Sequence, residues 1–278
     1  RFKQENDVNV EVVTAGDAGL LLERLKIAQS AAPFDIVIGL DQLMLPDAEK
    51  EFKWREMFFG SEGRHPVISE YASPRFVPFD WSPLTFVYHK AAGALPAEID
   101  DLLKPELKGQ FALQDPRSSS PGLQFFHWIK SVKGPRTVEF LERFKPNVNS
   151  VSPSWAFSYG LFKKDQTRFV WSYLTSLAYH WGAESNRDYQ VLSFRDGHPV
   201  QVEYAAVPSS CRECDLAEKF VGQMLQPWAQ KLIMEKNFMF PVIKGLEEGT
   251  IFGQLPELKT IRTGVGKDLG DWDQAFRR

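Results

Sequence analysis

Residues 76–90 read FVPFDWSPLTFVYHK, an extended segment interrupted by Pro78 and Pro83. Proline cannot donate to a ladder, so the two prolines argue against a central strand throughout. A segment that leaves one sheet and enters another has this pattern. Residues 200–207 (VQVEYAAV) form a second alternating run able to make the return journey. Two crossings of this kind divide a chain of 278 residues into two α/β lobes with a ligand between them. The expected division is 1–78 with 204–278 as the first lobe, and 79–203 as the second, each a mixed sheet flanked by helices.

The order of elements supports an α/β architecture. Residues 8–13 alternate, with Val8, Val10 and Val12 on one face, and predict a strand. Gly16 and Asp17 turn into a helix that carries Leu21, Leu22 and Leu25 on one side and Glu23, Arg24 and Lys26 on the other. Residues 34–39 (FDIVIG) are a short apolar run typical of a strand buried on both faces. Strand, helix and strand in this span predict a βαβ unit with parallel strands. Asp41 then falls just past a carboxyl edge, where open α/β sheets place ligands. Further on, strands are expected over 111–114 and 168–173. Helices are expected to about 132, near 135–145, 154–164, 215–225 and 227–236.

Composition narrows the function classes. Net charge is −3 and no basic block stands out, so nucleic acid is not an expected partner. No apolar run approaches the roughly 18 residues of a membrane helix. The only cysteines, Cys211 and Cys214, have no second Cys pair and no neighbouring His cluster to make a zinc site. A short loop disulfide or free thiols without a catalytic role remain, the former implying an oxidising compartment. His65, His89, His127, His180 and His198 are available bases, but no GxSxG, HExxH or Walker motif accompanies them. An enzyme is therefore not expected.

Three segments can carry a binding site. In the first, residues 115–122 (DPRSSSPG), a strand ends in a proline turn and three hydroxyls open a helix, with Pro121 in its first turn. Free N–H groups and the hydroxyls of Ser119 and Ser120 there suit a polar or anionic ligand group. In the second, Ser152 is expected to cap a helix with Pro153 at its first position, placing Trp155 in the first turn. In the third, residues 169–180 (FVWSYLTSLAYH), Tyr173 ends a strand, Thr175 and Ser176 open the next helix, and Tyr179 follows about one turn later. Two strands of one lobe thus finish in hydroxyl-rich helix starts, the pattern of a binding wall.

These segments, in this order, resemble the periplasmic thiamine-binding proteins of bacterial ABC importers, which have the type II periplasmic-binding-protein fold. The resembling stretches are 34–41, 76–80, 114–123, Trp155 with 159–162, 172–176 through 178–180, 201–203 and 237–242. Together they run over nearly the whole chain; the DPR-Ser-rich turn alone would not name a ligand. The resemblance implies ligand contacts at Asp17, Ala18, Ser119, Ser120, Trp155, Tyr173, Leu174, Thr175 and Ser176, with Tyr179 and Phe238 as aromatic walls. It implies a monomer that captures thiamine or its phosphates and delivers it to a membrane permease, with no cofactor and no metal. Phe238 stands where the family often has Trp, and Ala18 where Gly is usual. Family members also begin with a strand and an aromatic-Asp loop to which nothing in this sequence corresponds, so either truncation or another completion of the first lobe is expected.

A thiamine pocket needs aromatic faces for the thiazolium cation, a carboxylate to balance it and hydrogen-bond partners for both ends. Trp155, Tyr173, Tyr179 and Phe238 can supply faces, each cation–π contact contributing about 0.5–2 kcal/mol. Asp17 or Asp41 can supply the charge. The helix starts at Ser119–Ser120 and Thr175–Ser176 repel a cation and should face the hydroxyl end, where a phosphate would also fit. The alternative is a ferric-iron or small-anion binder of the same fold. For iron, Tyr173 and Tyr179 are six residues apart instead of adjacent, and no His/Glu set accompanies them.

Overall fold

A computed structural model describes residues 1–14, 16, 18–28, 34–60, 62–90, 93, 95–266 and 268–276. Its strands are β1 (Val37–Asp41), β2 (Phe76–His89), β3 (Phe111–Gln114), β4 (Val148–Ser152), β5 (Phe169–Tyr173), β6 (Tyr189–Val191), β7 (His198–Ala206), β8 (Phe240–Pro241) and β9 (Thr260–Ile261). They are joined in the order β1-β7-β2-β5-β3-β4, with β6 and β8 pairing β2, and β9 pairing β7.

The long segment behaves as its pattern demands. From Phe76 to Pro83, β2 runs antiparallel to β7; from Leu84 to Tyr88 it runs antiparallel to β5. One continuous strand therefore belongs to two sheets, and β7 makes the return. Both prolines nevertheless lie inside a central strand. Pro78 is accommodated at a register shift between Pro78 and Asp80, where a bulge relieves the ladder. Pro83 is the last residue paired with β7, and its carbonyl accepts from the Leu174 N–H at 2.9 Å.

Two hydrophobic cores flank the switch. The first gathers Leu22, Leu40, Phe76, Trp81, Val202, Tyr204, Val221 and Val242. The second is markedly aromatic and includes Phe86, Phe111, Phe125, Trp128, Phe169 and Trp171. Trp128 and Trp171 stack with centroids 5.1 Å apart, and Phe86 meets Trp171 edge-on at 5.1 Å. Each buried indole N–H finds a carbonyl, Trp128 at Gly197 and Trp171 at Pro121, both at 2.8 Å. Most of the chain's aromatic surplus is thus spent on packing.

Several expectations are corrected. Residues 8–13 form no strand: Val10, Val12 and Val13 are exposed, and the segment has no ladder partner among the described residues. Alternation provides a face, but only a neighbouring strand makes it a sheet. The βαβ unit fails with it, because β1 pairs antiparallel with β7. The buried strand expected at 34–39 is displaced to Val37–Asp41 and lies at an edge, so Ile38 faces outward. Gly39 sits at a register shift there with φ 98°, a conformation that favours glycine. The helix Ala18–Ala28 forms as expected, with Leu22 and Leu25 buried.

Ser152 does not cap a helix. It ends β4, a strand the sequence reading missed because only Val148 and Val151 of VNSVS are apolar. Ser154 takes the cap of the helix Trp155–Lys163, its Oγ accepting from the Phe157 N–H at 3.3 Å. The C-terminal helix Gly270–Phe276, expected in the first lobe, packs on the second, where Trp272 is buried against Phe126. Cys211 and Cys214 form a disulfide at the start of the helix Cys214–Met224.

Buried His198 locks the second lobe to β7. Its Nδ1–H donates to the Leu84 carbonyl at 3.1 Å, while Nε2 accepts from the Phe194 N–H at 2.9 Å. Burial pushes its pKa from the usual 6.5 down to about 4. The folded state therefore keeps His198 neutral while the unfolded chain takes up a proton below about pH 6.5. Stability is fully present above pH 6.5 and falls as the pH drops toward 4, by about 3 kcal/mol from this residue. Urea denaturation between pH 7.5 and 4 should show that decline; a His198→Asn variant, destabilised at neutral pH, should show a shallower one.

Candidate functional site

The two helix starts lie side by side. Ser119 is the N-cap of the helix Ser120–Lys133, with Pro121 in the first turn, where the missing N–H costs nothing. Gly122 is forced by contact: a Cβ there would lie 2.5 Å from the Gln114 carbonyl oxygen of β3. The helix start is thereby seated directly on the carboxyl end of β3. Ser119 and Ser120 are both buried, and the Ser119 hydroxyl has no hydrogen-bond partner. Ser118 Oγ donates to the Pro153 carbonyl at 2.6 Å, and the Asp115 N–H donates to Ser152 at 2.8 Å. These bonds fix the serine turn beside the Trp155 helix.

Trp155 is that helix's first residue and half-buried. Its indole N–H donates to Ser172 Oγ at 2.8 Å, and its ring lies 6.3 Å from the Tyr173 ring and 4.8 Å from Tyr159. Ser172 Oγ is in turn 2.8 Å from Ser176 Oγ. Leu174 packs its side chain with Leu177 and Leu258, its N–H donates to the Pro83 carbonyl, and its own carbonyl accepts from the Leu177 N–H. Thr175 is buried, its hydroxyl 3.3 Å from Ser82 Oγ and 3.7 Å from Met239 Sδ. That contact joins the end of β5 to the segment that follows the helix Pro227–Asn237.

Phe238 caps that helix with φ 52°, a left-handed conformation uncommon for a bulky side chain. Such strain costs on the order of 1–3 kcal/mol and collects at ligand sites. Its ring meets Tyr179 edge-on at 5.2 Å. Tyr179 is 39% exposed and opens a wide turn, Tyr179–Ala183.

Of the carboxylates at the crossing, Asp41 was expected from the sequence, and Glu203 and Asp80 beside it were not. Across β1, β7 and β2, Asp41 is paired with Glu203, and Glu203 with Asp80. Directly paired residues share a face, so three carboxyl groups stand in a row at the crossing. Asp80 is fully buried, and burial, then the charge of Glu203, pushes its pKa well above the carboxylate range. Asp80 also bonds with Glu203, and it accepts from Asn237 Nδ2 at 2.7 Å, which anchors the residue before Phe238. Glu203 is the one partly exposed side chain of β7. Gln201 Nε2 lies 3.1 Å from Glu203 Oε1 and 3.0 Å from the Tyr173 hydroxyl, so one amide links the phenol to the carboxylate.

Thus Ser119 and Ser120 sit in the turn tied to the Trp155 helix, while Trp155, Tyr173 and Ser176 share one bonded cluster. Thr175, Tyr179 and Phe238 adjoin it through Met239. Ala18 begins a helix packed on β1 in the first lobe. Asp17 lies outside the described residues. Asp41 is buried and its Oδ1 accepts from the Leu43 N–H at 2.8 Å, leaving Glu203 as the accessible member of the row. Two other hollows, one beside Gln110 and Arg168, the other beside Phe59 and Trp228, contain none of these residues. The signal for Glu203 was present in QVEY, a strand whose outward position carries an acid at a crossing.

A family model described as bacterial extracellular solute-binding protein matches residues 1–239. The chain belongs to this family. This solute-binding protein is 34% identical over 248 residues to the thiamine-binding periplasmic protein of Brucella abortus, covering 87% of this chain and 73% of that one. To the thiamine-binding periplasmic protein of Escherichia coli it is 31% identical, covering 87% and 74%. Among solved structures, a periplasmic thiamin binding protein superposes with a TM-score of 0.88 at 27% identity, over 100% of this chain and 89% of that one. A ferric binding protein from Campylobacter jejuni reaches a TM-score of 0.77 at 17% identity, which shares the fold alone. The expected two-lobed architecture is that of these periplasmic binding proteins.

Because the Gly122 seat holds the serine turn, Gly122→Ala should lower stability by about 1–3 kcal/mol. The check is thermal or urea denaturation beside Gly160→Ala, whose added Cβ meets nothing within 4 Å.

Proposed function

We propose that this solute-binding protein captures thiamine in the periplasm, between its two lobes, and delivers it to the permease of an ABC importer. It binds and releases the vitamin unchanged, with no bond made or broken and no cofactor or metal required. The observation that carries the reading is the Tyr173–Gln201–Glu203 link, which joins an aromatic wall to an accessible carboxylate. Thiamine presents what such a place would hold: a permanently charged flat ring beside a second ring with polar edges. The names of the relatives point to the same ligand.

In this reading the thiazolium lies against the faces of Trp155 and Tyr173, with Glu203 balancing its charge and Tyr179 and Phe238 closing the other side. Ser119, Ser120, Leu174, Thr175 and Ser176 supply polar contacts, with Asp17 and Ala18 as further contacts. Ferric iron would need several hard oxygen donors converging on one point, and among the described residues no group of three His, Cys, Asp or Glu side chains is placed to hold a metal. Closure turns about the crossings in β2 and β7, where single strands pass from one core to the other.

Thiamine should quench the intrinsic tryptophan fluorescence of the wild-type protein, and Trp155→Ala should weaken binding by about ten-fold or more. Unchanged affinity in that variant would remove Trp155 from the site. Glu203→Gln should also weaken binding by about ten-fold, measured by titration calorimetry, because the cation loses its balancing charge. Pyrithiamine, which keeps a cationic ring, should lose affinity in parallel, whereas a neutral aminopyrimidine should not.

A further inference from the structure

Behind Trp155 runs a buried chain of hydrogen bonds that no binding contact requires. It begins at the indole N–H, which can only donate, at Ser172 Oγ. It passes from Ser172 to Ser176 at 2.8 Å, and from the Ser176 hydroxyl to Tyr159. The Tyr159 hydroxyl lies 2.7 Å from His180 Nε2, and His180 Nδ1 lies 2.6 Å from Glu184 Oε2. Lys163 Nζ closes the chain on Glu184 at 2.8 and 3.0 Å.

The two ends set the direction of every proton between them. The indole only donates and the carboxylate only accepts. Glu184, held as an anion by Lys163, takes the Nδ1–H of His180. That leaves Nε2 as a lone pair, which takes the Tyr159 proton. Tyr159 can then only accept from Ser176, and Ser176 from Ser172. Burial supports the neutral form of His180, and its ring is stacked on Tyr189 at 3.6 Å. The groups facing His180 are Tyr159 and Lys163 from the Trp155–Lys163 helix, Tyr189 from β6, and Tyr179 and Glu184 on its own segment. Among these Lys163 is the sole cation, and it is already paired with Glu184.

We infer that Tyr159, His180 and Glu184 are positioning residues that make Ser176 an acceptor-only contact, so that the site takes an N–H or O–H donor from its ligand there. Ser176 has spent its proton toward Tyr159 and offers only lone pairs outward. A ligand oxygen without hydrogen at that point would face lone pairs and pay the penalty of an unmade bond. The inference rests on the proposed site, which puts Ser176 against the ligand, and on thiamine for the choice of probes. Thiamine has a donor at each end, the amine of its pyrimidine and its terminal hydroxyl. Oxythiamine replaces the first with a carbonyl, and thiamine monophosphate replaces the second with phosphate.

The first test needs no ligand. Nitrogen-15 NMR of the wild-type protein at pH 7 should show His180 as the neutral Nδ1–H form; an Nε2–H form or an imidazolium overturns the inference. The second compares affinities for the three probes. The wild-type protein should disfavour one of the two analogues by at least about ten-fold. Tyr159→Phe, which keeps the ring packing but frees the Ser176 proton, should shrink that ratio about five-fold or more.

Glu184→Gln should do the same by another route. Its amide oxygen turns to Lys163 and its NH₂ to His180 Nδ1, which moves the imidazole proton to Nε2; Tyr159 then donates to Ser176, and with Ser172 still donating there the Ser176 proton is freed toward the ligand. Glu184→Asp keeps the acceptor and should keep the wild-type ratio. Equal binding of all three probes by the wild-type protein, or an unchanged ratio in Tyr159→Phe and Glu184→Gln, overturns the inference. If no probe binds the wild-type protein, the thiamine reading falls, and the NMR result alone decides the orientation of the chain.

Discussion

The antiparallel pairing of β2 with β7 is the constraint from which the rest follows. Both strands are continuous through the switch, so the lobes are joined by ladder hydrogen bonds instead of loose linkers. β2 changes core within three residues: Trp81 lies in the first core and Leu84 in the second. Side chains near the switch are the ones that neither core claims. Glu203, Gln201 and Asp80 are polar in otherwise apolar strands for that reason, and they meet the carboxyl end of β5 there.

Electrostatics divide the site into two unlike parts. At the crossing, three in-register carboxyls compete: Asp41 and Asp80 are both fully buried, burial and the charge of Glu203 push the pKa of Asp80 up, and Glu203 remains the accessible one. At the carboxyl edges of β3 and β5, two helix starts contribute the hydroxyls of Ser119, Ser120, Thr175 and Ser176 and the positive end of the helix dipole. A ligand with a cationic ring and separate polar ends can satisfy both parts at once. A bare anion would satisfy only the second and would be repelled by the first.

Much of this was legible in the residues because the relevant signals are local. Pro78 and Pro83 in a long extended run marked the crossing, and DPRSSSPG marked the helix start that Gly122 seats on β3. The aromatic surplus was visible too, although most of it fills the second core and only Trp155, Tyr173, Tyr179 and Phe238 were assigned to the site. What failed were inferences that depend on a partner. The valines of residues 8–13 alternate but have no ladder partner among the described residues, and Ser152 reads as a cap until β4 claims it.

The sequence by itself determined two α/β lobes, their two crossings, the serine turn and the aromatic residues set at strand ends, because periodicity, proline and glycine act within a few residues. Only the tertiary structure decided which carboxylate is accessible, which lobe receives Gly270–Phe276 and how Trp155 is tied through Ser176 and Tyr159 to Glu184. Those outcomes depend on strand register and on distances between segments far apart in the chain. Register sets which side chains share a face, and no local pattern encodes it.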